Sequence, residues 1–98
     1  MTNYKRGVEK ERHAMAGLEA VGYDVMRTAG SHGSYDVVAE GPTGVRLIQV
    51  KRVKEGANWK REYEMVKEQL QKKPKITGVS REIWVWEDKK GWIIQEVV

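Results

Sequence analysis

The sequence predicts an α/β fold with a mixed sheet, and three observations carry the prediction. Apolar spacing switches between helical and two-residue periods, a hairpin signal lies in the middle of the chain, and one late strand is apolar on both faces. In order the elements read helix, three strands, helix, two strands, in a single domain spanning residues 1–98. There is no internal repeat, low-complexity stretch or evident linker.

The first helix is expected from Gly7 to about Val21, because Val8, Met15, Leu18 and Val21 recur near helical spacing and Gly22 supplies a stop signal. On a helical wheel Glu11 lies about 40° from Met15 and about 20° from Leu18, on the face that packs inward, with Glu9 roughly opposite. A carboxylate so placed is either an acid near the helix start, favoured by the macrodipole, or a group that is paired, hydrogen-bonded or metal-bound.

Tyr23–Thr28 alternates as a strand, and Ala-Gly-Ser-His-Gly-Ser at 29–34 is a small-residue turn. Tyr35–Glu40 and Val45–Arg52 follow as two more strands. Gly41-Pro-Thr-Gly44 closes a hairpin between them, as a four-residue loop or as a Pro-Thr turn inside one more pair. Both choices give one register, in which Glu40 faces Val45, Val38 faces Leu47 and Asp36 faces Gln49. Lys51 projects from the same face as Gln49 by the two-residue period of a strand. A carboxylate, an amide and an amine therefore converge beside Val38 and Leu47.

Gly56–Lys73 reads as the second helix, with Trp59, Tyr63, Val66 and Leu70 on one face and Pro74 near its end. Glu82–Glu87 and Gly91–Val97 are the last strands, joined by Asp88-Lys-Lys-Gly91. Ile83 and Val85 point one way and Trp84 and Trp86 the other, so both faces need cover, from helices or from a second subunit.

Composition narrows the chemistry. With no cysteine and two histidines, disulfides and thiolate metal sites are excluded and a His-rich zinc site is improbable, so any metal is bound mainly by oxygen. His13 reads as a helix-surface residue, and His32, in the glycine-rich turn, as a candidate phosphate contact. No apolar run approaches a bilayer span and the N-terminus leads into charged sequence, so a soluble, cytoplasmic protein with no membrane partner is expected. Of 18 Lys and Arg, six lie in residues 1–50 against six acids, and twelve lie in 51–98 against eight. Nine of them fall within Lys51–Lys75, including Arg52, Lys54, Lys60 and Arg61. That stretch suits a polyanion whose phosphates are neutralised by side-chain cations, or else forms a solvated helix face.

Asp36 and Gln49 offer the carboxylate and amide oxygens that a hard cation such as Mg²⁺ takes, with Mn²⁺ as a substitute. Such an ion acidifies water and neutralises charge at phosphorus, and the Lys51 ammonium can orient a nucleophile or stabilise that charge. A purely structural hairpin would put apolar residues beside Leu47 on this strand face, where Gln49 and Lys51 stand instead. The competing reading is an exposed sheet edge with an ordinary Asp36–Lys51 surface pair, worth about 0–1 kcal/mol.

An Asp, a hairpin of about a dozen residues and then Gln49-Val-Lys51 resembles the core of the PD-(D/E)XK nucleases, whose restriction-endonuclease-like αβββαβ fold sets a mixed central sheet between helices. More narrowly, Tyr4-Lys-Arg-Gly-Val-Glu-Lys-Glu-Arg12, Gly22-Tyr-Asp-Val-Met-Arg-Thr-Ala-Gly-Ser31 and Asp36-Val-Val-Ala39 are similar to the archaeal-type Holliday junction resolvases. The resemblance covers residues 4–52 well and thins after Arg52. It implies that Glu11 is the helix-borne acid, Asp36 and Gln49 the metal-binding pair, and Lys51 the catalytic lysine. Ser31 then matches a serine near the cleaved strand, and Arg27 a basic residue close to it. Tyr35 departs from the proline found in many members, and Gln49 from the usual glutamate, which removes one negative charge from the metal site.

The function expected is a metal-dependent, structure-selective DNA endonuclease that resolves four-way junctions. One site per chain against two symmetric nicks implies a homodimer, and the Trp84/Trp86 face offers aromatic surface for it. The alternatives are a nuclease of the same superfamily acting on flaps or duplex DNA, and a catalytically silent nucleic-acid-binding module. A small RNA-binding protein would account for the charge but not for Asp36, Gln49 and Lys51.

Overall fold

The computed structural model describes residues 3–28 and 35–98, with backbone alone for 3–6. The elements are α1 (Asn3–Ala20), β1 (Asp24–Arg27), β2 (Val37–Gly41), β3 (Gly44–Val53), α2 (Lys60–Gln71), β4 (Val79–Glu87) and β5 (Gly91–Val97). The strands form one mixed sheet in the order β1-β2-β3-β4-β5. Only β3 and β4 run parallel, because α2 carries the chain back between them, and the other neighbours are antiparallel. The order of elements and the mixed sheet are those the sequence predicts.

The two helices cover opposite faces. Beneath α1, Ala14 and Leu18 pack on Val37, Ala39, Ile48 and Trp84. Beneath α2, Tyr63 and Leu70 pack on Val53, Ile83 and Val85. The alternation of Ile83/Val85 against Trp84/Trp86 is thus resolved by helices. Trp84 is 6 % exposed. The half-buried Trp86 lies under the Lys10 ammonium, 3.9 Å from its ring centre, and against the rings of His13 and Trp92 at 5.0 and 5.2 Å. The Trp84/Trp86 face is therefore occupied by α1 and is not the aromatic interface surface expected for it.

Local chemistry fixes the joints. At the end of α1 the Gly22 N–H bonds to the Glu19 carbonyl and the Tyr23 N–H to the Leu18 carbonyl, with Gly22 at φ 100°. This is a Schellman motif, in which a glycine takes the left-handed position that stops the helix. The Pro42-Thr43 turn closes a Gly41↔Gly44 pair, and the register continues through Val38↔Leu47 to Val37↔Ile48. The predicted register holds from Glu40↔Val45 to Val38↔Leu47, with the shorter of the two turn options.

The second helix begins four residues later than predicted. Gly56 adopts φ 75° in a turn closed by Ala57 N–H to the Lys54 carbonyl, and its own N–H donates to the Glu87 carboxylate. Residues 54–58 therefore tie the end of β3 to the end of β4 before the helix starts.

Candidate active site

Asp36 stands where β2 enters the sheet, and three hydrogen bonds set its position. Its N–H donates to the Ile48 carbonyl at 2.9 Å, its carbonyl accepts from Thr28 N–H at 3.0 Å, and its carboxylate accepts from Val50 N–H at 2.8 Å. The last bond corrects the expected picture of Asp36 facing Gln49 across a strand pair. The ladder of paired residues ends at Val37↔Ile48, and the Asp36 side chain turns onto the β3 backbone. A partly buried carboxylate needs a donor, and the Val50 amide is the one within reach. The carboxylate is thereby held against β3 at the residue between Gln49 and Lys51.

Glu11 reaches the same place from α1. Its side chain is 15 % exposed and pairs with the Arg27 guanidinium at 3.7 Å. Burial raises the Glu11 pKa above the usual carboxylate range, the neighbouring Asp36 charge raises it further, and Arg27 opposes both. Burial likewise raises the Asp36 pKa, against the Val50 hydrogen bond and Arg27. Two carboxylates that repel each other around one arginine form a place where a further cation is favoured. Arg27, expected as a nucleic-acid contact, is engaged inside this acidic pair.

Gln49 and Lys51 project toward α2, where they line a cavity of about 90 Å³ with Val50, Glu62, Tyr63, Val66 and Ile83. The Lys51 ammonium donates to the Glu62 carboxylate rather than to Asp36. The structure thus joins the expected residues in two groups, Glu11–Arg27–Asp36 and Gln49–Lys51–Glu62. Val50 adjoins both, since its N–H bonds the Asp36 carboxylate and the residue also lines the cavity of Gln49, Lys51 and Glu62.

Glu11 and Asp36 offer carboxylate oxygens on one side and Gln49 an amide oxygen on the side of α2, each a hard ligand of the type that suits Mg²⁺ or Mn²⁺. Among the described residues no group of three or more His, Asp or Glu side chains is assembled to hold a metal. An ion beside Glu11 and Asp36 would need amide, backbone or water oxygens for the rest of its shell.

The comparisons with known proteins decide the family. The model of the archaeal Holliday junction resolvase family, Hjc, matches residues 2–94. The chain belongs to that family. Among solved structures it is similar to Archaeoglobus fulgidus Hjc, a Holliday junction resolvase from an archaeal hyperthermophile. The TM-score is 0.58 at 19 % identity, over 89 % of this chain and 69 % of that one. No curated protein sequence matches. A junction-resolving nuclease is what membership of the resolvase family makes of this chain.

Within the resolvase frame, Ser31 and His32 lie outside the described residues. Arg52 is tied to Asp88 at 2.8 Å, while Lys54, Lys60 and Arg61 are exposed. Glu62 is the site residue that the sequence reading missed. Its signal was present: on the wheel it lies about 40° from Val66, at the margin of the inward stripe of α2.

Proposed function

We propose that this resolvase-family chain cuts four-way DNA junctions by hydrolysis at a divalent-metal site made by Asp36, Glu11 and Gln49, with Lys51 facing the reacting phosphate. The observation that carries the reading is the Asp36 carboxylate fixed on the Val50 amide, between the two polar residues of β3 and within the field of Glu11. When bound, Mg²⁺ supplies Lewis acidity and a more acidic water. Asp36 and Glu11 supply the negative charge that draws the ion in, and the Gln49 amide oxygen adds a neutral donor. Lys51 places a positive charge where the phosphate gains negative charge. Arg27 limits repulsion between the carboxylates. Lys54, Lys60 and Arg61, exposed beside the site's end of β3, hold flanking phosphates, and Ser31 and His32 are DNA contacts in this proposal.

Because one chain offers one such site and a junction is resolved by two nicks, the acting species is a homodimer. Equilibrium sedimentation should show a dimer at micromolar concentration. A panel of junction, flap, nicked and duplex DNA with Mg²⁺ tests the reaction: the junction should be cut preferentially, and Asp36→Ala and Lys51→Ala should abolish cutting while keeping binding.

The amide at position 49 favours one second reading, a module that binds junctions without cutting them. Comparison with Gln49→Glu separates the two. Wild-type silence under Mg²⁺ and Mn²⁺ together with cutting by Gln49→Glu would establish the silent module.

A further inference from the structure

Gln49 leaves the Lys51 ammonium without an anion on its own strand face, and an anion arrives instead from α2. Glu62, in the first turn of that helix, accepts a hydrogen bond from Lys51, and both line the cavity that Gln49 also lines. A first-turn glutamate is stabilised by the helix dipole without any partner. Here it also spans the gap between helix and strand. The Lys51 side chain is 26 % exposed and that of Glu62 is 63 % exposed, so the lysine is the more confined member. A lysine has a flexible four-carbon stem, and its charge is localised only when something holds it. On this face β3 offers Leu47, Gln49 and Val53, none of them charged. Glu62 is the carboxylate that touches Lys51.

We propose that Glu62 is the positioning residue of Lys51. It holds the ammonium at the mouth of the site and replaces, from the helix, the negative charge missing from the strand at position 49. The proposal rests on the reading of Lys51 as the catalytic amine, and it explains how an amide at 49 is compatible with an ordered lysine at 51. Glu62 needs no contact with DNA or metal to do this.

The test compares wild type with Glu62→Gln by single-turnover cleavage of a synthetic four-way junction at saturating Mg²⁺, by junction affinity, by thermal midpoint and by ¹⁵N NMR of the Lys51 ammonium. Cleavage should fall about tenfold or more, as for other residues that orient a catalytic group. Junction affinity should change by less than about twofold, as expected for an exposed carboxylate. The thermal midpoint should stay in place and the ammonium should become more mobile. Gln49→Glu placed in the Glu62→Gln background should restore the rate, because it returns an anion to the strand face. Equal cleavage by Glu62→Gln and wild type overturns the proposal. So does an ammonium as mobile in wild type as in the variant, or a loss of cleavage that follows affinity or midpoint and is not rescued by Gln49→Glu. Lys51→Ala separates the two levels. If it cuts at the wild-type rate, the catalytic reading of Lys51 falls and this proposal falls with it. If it is inactive while Glu62→Gln is unimpaired, only the role of Glu62 is lost.

Discussion

Glu11 and Asp36 are harder to ionise in the folded chain than in the unfolded one, chiefly through burial, so their charged forms oppose folding. With both pKa values raised, the folded state binds more protons across the window from the ordinary carboxylate pKa up to the raised values. Stability from this pair therefore falls as pH rises through that window, and the cost is complete above it. Glu11→Gln should stabilise the metal-free protein by about 0.5–1 kcal/mol at neutral pH, the usual return from relieving strain at a functional site. Thermal melts at neutral pH and below the ordinary carboxylate range check this, and the gain should vanish at the lower pH. Glu82 behaves in the opposite sense. Burial alone would raise its pKa, but Arg46, bonded at 2.6 and 2.7 Å, with Trp84 and Ser80, holds it below the usual range. Its contribution is present at neutral pH and is lost as pH falls through the depressed value. Glu82→Gln should cost about 3 kcal/mol, the lower end for breaking a buried pair, since the Arg46 side chain is 29 % exposed and partly hydrated. Urea unfolding at pH 7 measures it. Of these residues, Glu11 was legible because an acid on an inward face conflicts with its surroundings. The turn of Asp36 onto Val50 and of Lys51 toward Glu62 was not, because side-chain direction is settled by donors that only the folded chain assembles.

The β2–β3 hairpin and its approach to β4 decide whether the two groups of the site meet at all. The turn residues and strand period specified this register in the sequence, since a one-residue slip would move Val37, Ala39 and Ile48 out from under α1. The start of α2 was illegible for the opposite reason. Trp59, Tyr63, Val66 and Leu70 keep their helical spacing, but Gly56 answers to Glu87, 31 residues away. The start of β4 at Val79 rather than Glu82 is also tertiary, because Val79, Ser80 and Arg81 are extended by pairing with Val45, Arg46 and Leu47. That pairing predicts a sensitive position. Gly44 has φ 141°, and an added Cβ would stand 2.1 Å from the Gly78 carbonyl oxygen, which accepts the Val45 N–H at 2.7 Å. Gly44→Ala must move backbone on one side or the other and lose that bond. A loss of at least about 2 kcal/mol is expected, read as a lower urea midpoint with an unchanged slope. Gly17→Ala is the control, because a Cβ there meets nothing within 4 Å and the residue is helical.

For the whole molecule, the sheet places the site at one end: the beginning of β2, the second half of β3 and the first turn of α2, with Glu11 arriving from the opposite layer. The exposed cations of the same end, Lys54, Lys60 and Arg61, extend a positive border from it. If these residues form the proposed centre, each chain carries one, and two nicks across a junction require two copies. That geometry makes a prediction about mixed dimers. If each copy cuts one strand with its own Asp36 and Lys51, a dimer of wild type with Asp36→Ala carries one working centre and both sets of binding cations. On a supercoiled plasmid bearing a cruciform, paired cuts within one binding event give linear DNA, and a single cut gives an open circle, because the nick relaxes the plasmid and removes the junction. Wild-type dimers should yield mainly linear product, mixed dimers mainly open circles, and Asp36→Ala dimers neither. Initial consumption of plasmid by the mixed dimer should be about half the wild-type rate if the two centres act independently. Linear product from purified mixed dimers would show that a centre can act on both strands in turn, and the pairing of one centre with one strand would have to be abandoned.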